Sequence, residues 1–125
     1  MRGIGFYFFA AGVISVTLGM LWGIQMAISG DHTLHGAHAH LNLVGWVTMG
    51  LFGIYYTLTP AAAATRLAKL HLALAVAGLV VMVPGIAIAV QNGGDQMVAA
   101  GSLLTAASML VFLYTVFKNG LGRTA

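Results

Sequence analysis

Four of the five histidines, His32, His35, His38 and His40, fall within nine residues of one another. Imidazole is the side chain that ligates iron, copper or zinc and that changes charge near neutral pH. On a helix, positions three apart share a face, so His35 and His38 can point together, and His32 extends that stripe toward the surface. His38 and His40 are two apart, which at 3.6 residues per turn sets them about 200° apart around the axis. They cannot bind one metal ion from a continuous helix, so they must serve two separate sites. Thiolate metal sites, disulfides and iron–sulfur clusters are excluded, because the chain has no cysteine.

The elements that must carry these residues follow from composition. Hydrophobic residues make up 60 % of the 125 and charged residues 6 %, and the mean hydropathy is +0.97. A water-facing surface cannot be built from that, since soluble domains carry roughly 25 % charge. About 20 apolar residues cross a hydrocarbon layer, and four such runs are expected at 4–28, 35–58, 67–90 and 97–117. The fold class is therefore all-α, a single four-helix transmembrane domain over 1–125. The first run is too long for a signal peptide and no small-residue cleavage pattern follows it. His38 and His40 fall about three and five residues into the second run, roughly 5 to 8 Å along its axis. An ionisable side chain at that depth costs a few kcal/mol and points to function.

Orientation is set by charge. Arg2, Arg66, Lys69, Lys118 and Arg123 all fall on one side of the four spans, and the two acidic residues, Asp31 and Asp95, fall on the other. By the positive-inside rule both termini are expected in the cytoplasm; five independent charges would segregate this way by chance only about one time in sixteen. The sequence pI near 9.7 then reports topology, with no nucleic-acid partner implied. Gly30 with Asp31, and the Asn92 to Asp95 stretch, are turn chemistry. Pro60 suits the end of a helix, the alanines after it extend the third span, and Pro84 should kink that span or free a carbonyl near Val80. Gly19 and Gly23 form a small-xxx-small pair for close helix contact, and Gly45, Gly50 and Gly53 admit a neighbouring backbone or a flat ligand.

The run His38, Ala39, His40 followed by Leu43, Gly45, Trp46, Met49, Phe52, Gly53, Tyr55, Tyr56 and Pro60 resembles the His-x-His helix of the heme-copper oxidase catalytic subunit. In that family one histidine ligates each of two hemes. The resemblance implies that His38 stands at the high-spin heme position and His40 at the low-spin position. Leu70, His71 and Leu72 are similar to the start of the following helix there. The likeness covers about half the chain. It lacks the adjacent His-His pair that holds copper and offers no second helix to partner His40, so a complete oxygen-reducing site is not expected. Because the oxidase subunit is three pseudo-equivalent four-helix arcs, the resemblance implies a homotrimeric ring with heme between protomers. In layout the chain also resembles the styrene-oxide isomerases, through Ala39, His40, Leu41, Asn42 and Gly45. That likeness implies His40 as proximal ligand and Asn42 as a polar helper.

The leading expectation is an integral membrane b-type heme protein of electron transfer or small-gas chemistry, with a redox partner, in the bacterial inner membrane. His38 and His40 are its iron ligands, and His35, Asn42 and Trp46 its further cofactor-binding candidates. Two alternatives are a heme-dependent isomerase and a copper- or zinc-binding protein using His32, His35 and His38. A subunit accessory to a respiratory complex is a further one. His71 reads as a helix-to-helix hydrogen-bond partner. Tyr55 and Tyr56 read as packing aromatics.

Overall fold

The computed structural model describes residues 2–123, which form helices joined by short turns, with no strand among them. Four helices are long and apolar enough to cross a membrane: α1 (Ile4–Ser29), α2 (His35–Leu58), α4 (Arg66–Val90) and α5 (Gln96–Asn119). Each begins and ends within two residues of the expected span. The remaining element, α3 (Pro60–Ala63), is a single turn between α2 and α4.

Local chemistry sets the boundaries. Gly30 closes α1 in the left-handed conformation at φ 71°, its N–H donating to the Met26 carbonyl. Pro60 opens α3, where its missing N–H costs nothing. The Thr65 side chain caps α4 by accepting from the Ala68 N–H at 3.2 Å. The alanines after Pro60 therefore make their own turn and do not extend the third span, because Thr65 restarts the helix behind them. α4 runs on through Pro84 as one helix to Val90.

α2 is not uniform. His35–His40 and Met49–Leu58 are α-helical, whereas Leu41–Thr48 between them is π-helical. Within the widened stretch the Thr48 hydroxyl donates five residues back, to the Leu43 carbonyl at 3.0 Å. π-turns are rare and concentrate at functional sites.

Glycine governs the packing of two helix pairs. Along α1 and α2, a Cβ on Gly53 would stand 2.8 Å from the backbone of Gly5 and of Phe9, and one on Gly45 would stand 2.6 Å from Ser15 Cβ. Gly12 meets Trp46 and the Gly50 backbone, Gly19 seats Asn42, and Gly23 seats His38. Along α4 and α5, Gly78 meets Thr105, Gly85 the Val98 backbone, and Gly101 the Met82 backbone. α2 packs on α4, so α1 and α5 occupy the two edges of an arc.

At the end that carries the five basic residues, an aromatic knot ties the arc together. Phe8 of α1, Phe52 and Tyr56 of α2 and Phe112 of α5 surround His71 of α4, with ring centroids 4.8, 4.4, 5.7 and 5.4 Å from its own. The chain end docks there too: Tyr55 Oη donates to the Gly120 carbonyl at 2.7 Å, and the Gly122 N–H donates to Thr59 Oγ1 at 2.9 Å. The outward faces are apolar and exposed, as at Ile14, Leu18, Leu110 and Phe117, which is the surface a lipid bilayer solvates.

Candidate functional site

The histidine-bearing end of α2 lies opposite the aromatic knot. His38 turns toward α1, where its ring meets the Trp22 indole edge-on at 6.0 Å and lies so close to Gly23 that a Cβ there would stand 3.3 Å from it. Asn42, one turn on, donates through Nδ2 to His38 Nε2 at 3.2 Å. That bond occupies the Nε2 lone pair and assigns the ring proton to Nδ1, which is buried without a partner. In this arrangement His38 offers neither nitrogen to an external ion.

His40 is placed differently. Its side chain is exposed on another flank of α2, and its Nδ1–H donates to the Gly36 carbonyl at 2.8 Å. In the neutral imidazole this bond places the proton on Nδ1 and leaves Nε2 as the lone-pair nitrogen. A backbone carbonyl holding the far ring nitrogen is the orienting contact that iron- and zinc-binding imidazoles use. His35 repeats the device, Nδ1 donating to the His32 carbonyl at 3.0 Å from an exposed position. His38 is thus half-buried against α1, whereas the His40 ring is exposed with its Nε2 unengaged.

Between α1 and α2 a groove of about 560 Å³ runs beside His38, lined among others by Gly19, Met20, Gly23, Asn42 and Trp46. Two glycines on one wall remove side chains that would fill it. The opposite wall carries every cofactor-binding candidate on α2 except His35 and His40. Its size falls within the roughly 300–1,000 Å³ of small-molecule and cofactor sites.

His32, His35 and His38 do not converge. Among the described residues no three histidine or carboxylate side chains come together to hold a metal ion. A copper or zinc site built by the protein alone needs about three such donors, whereas heme brings four nitrogens of its own and asks for one or two imidazoles. This end of α2 offers exposed imidazoles held through Nδ1, at His35 and His40, which is the number of protein donors a heme asks for.

Sequence reasoning passed over one constellation. His71 and Tyr56 are 0 % and 1 % exposed, and Tyr56 Oη lies 2.9 Å from His71 Nδ1. The hydrogen-bond partner expected of His71 is thus present, in a dry cage well away from the surface. Its Nε2 is buried without a polar partner. The signal available was the aromatic spacing of Phe8, Phe52, Tyr56 and Phe112, which reads as packing until the helices are brought together.

What the fold and the site define is an all-helical chain with four helices suited to crossing a membrane and an oriented imidazole on an apolar flank. Comparison with protein-family models, curated proteins and solved structures finds no match.

Proposed function

We propose that this chain is an integral membrane b-type heme-binding protein that works in electron transfer or small-gas chemistry. His40 is its axial ligand. The observation that carries the proposal is His40 itself, an exposed imidazole among apolar helices with Nδ1 locked on Gly36 and Nε2 free. Such a group is costly at membrane depth unless something outside the chain takes the lone pair.

A homotrimeric ring supplies the surroundings. His40, exposed on α2, meets the neighbouring protomer there, so a heme held by one protomer rests against the next. The resemblance to heme-copper oxidases and styrene-oxide isomerases supports this arrangement, and the charge segregation supports cytoplasmic termini in a bacterial inner membrane. Bound there, heme supplies a reversible one-electron couple or an open iron position. The chain orients the ligand through Gly36 and keeps water away with its apolar walls. His38 and Asn42 form a polar pair at the groove.

The test is the optical spectrum of purified protein, oxidised and reduced, with and without carbon monoxide. A b-type spectrum is expected, and His40→Ala is expected to lose it. A spectrum indifferent to carbon monoxide assigns electron transfer; a shifted one assigns an open iron for gas binding or isomerase-type Lewis-acid chemistry. A colourless protein, or a heme spectrum unchanged in His40→Ala, rejects the assignment.

A further inference from the structure

We propose that the basic end of the α1/α2 pair is a binding site for one anionic phospholipid. The proposal rests on the membrane reading above but not on heme. A second groove, of about 550 Å³, lies at the end opposite the histidines, between the start of α1 and the end of α2. Its long walls are apolar: Phe6 and Phe9 on one side, Ile54 and Leu58 on the other. Gly5 and Gly53 also line it, and neither position tolerates a Cβ, so the helices touch there and the groove opens beside the contact. The two other polar side chains on the wall are already engaged: Thr57 donates to the Gly53 carbonyl at 2.8 Å, and the Tyr56 hydroxyl is bonded to His71. What remains, among the described residues, is a hydrocarbon channel with one cation in its lining.

That cation is Arg2, whose guanidinium sits 4.5 Å above the Phe6 ring, a contact that holds it over the groove. No acidic side chain is within reach, because both of them, Asp31 and Asp95, belong to the turns at the other end of the helices. Among the described residues the guanidinium therefore has no carboxylate side chain to pair with. A guanidinium beside an apolar channel at the lipid surface fits a phosphodiester headgroup whose acyl chain lies along the channel.

The measurement is native mass spectrometry of the full chain offered phosphatidylglycerol and phosphatidylcholine together. One phosphatidylglycerol per chain is expected to be retained in preference to phosphatidylcholine. Arg2→Gln should lower that retention about fivefold, the effect of one basic residue at a lipid surface, and Arg2→Lys should restore most of it. Ile54→Trp, which narrows the channel at a half-exposed position, should also release the lipid with Arg2 intact. Unchanged helical circular dichroism in all three variants shows that they are folded. A heme spectrum, if the wild type has one, should be unaffected in each, which separates failure of this site from failure of the heme reading. Equal retention of the two lipids, phosphatidylglycerol binding that survives Arg2→Gln, or preference for free oleate over phosphatidylglycerol would each overturn the proposal.

Discussion

His71 and Tyr56 show how much a single buried hydrogen bond can weigh. Each is shielded from water, and Tyr56 is the polar partner of the His71 ring, so removing the hydroxyl strands the imidazole. Tyr56→Phe leaves the imidazole with no polar neighbour and should cost about 1–3 kcal/mol. Replacing both, as in Tyr56→Phe with His71→Leu, should recover much of that loss, because no polar group is then left unpaired. Thermal unfolding of the two variants in one detergent checks this; equal destabilisation would show that the bond is idle. Asp31 presents the opposite case, an exposed turn residue. Its carboxylate accepts from the Thr33 hydroxyl at 2.6 Å and from the Thr33 N–H at 3.0 Å, which holds its pKa below the ordinary 3.8. A depressed carboxyl stabilises the fold above its ordinary pKa, and that contribution fades as pH falls through the lowered value. Thr33→Ala should return the Asp31 pKa toward 3.8 in an NMR titration.

At the scale of the helix, substitutions of glycine by alanine should divide by what each position meets. Gly101 faces the Met82 backbone, which an added Cβ would approach to 2.5 Å. Backbone cannot step aside cheaply, so Gly101→Ala should destabilise by about 1–3 kcal/mol. Gly36 has nothing nearer than Ile86 Cγ2 at 3.9 Å, and Gly36→Ala should gain about 0.5–1 kcal/mol from helix propensity. Melting temperatures moving in opposite directions would bear this out; a shared fall would mean that Gly36 is constrained by something other than space.

The same elements show what could be read before folding. The four spans were legible because unbroken apolar runs of the right length have few alternatives, and Gly30, Pro60 and the Asn92 to Asp95 stretch mark their ends. The contact made by Gly19 and Gly23 was legible from their spacing. The π-helical stretch of α2 was not, since Leu41 to Thr48 is as apolar as an ordinary helix. Nor was the difference between His38 and His40. Spacing sends them in different directions, but which one keeps a free nitrogen depends on Asn42 and Gly36 through hydrogen bonds that periodicity does not contain.

For the whole molecule, the arc has consequences for assembly. α1 and α5 lie at its two edges, and the exposed imidazole sits on an apolar flank, so the proposed ring must be closed by other copies of the chain. Light scattering of the detergent-solubilised protein, corrected for detergent, should give three times the 13.0 kDa of the chain. A monomer that still binds heme through His40 would dispense with the ring and make the neighbour's groove irrelevant to the cofactor.

The widened middle of α2 also fixes an angular relation. Because it holds more residues per turn than the helix on either side, it sets the heading of the imidazoles against that of Tyr55, Tyr56 and the knot behind them. Shortening this stretch by one residue would swing one half of the rod about its axis while both halves stayed helical. The chain would then keep its spans and its aromatic anchor yet aim His40 elsewhere, so the direction of an imidazole can change by a single-residue deletion without redesigning the fold.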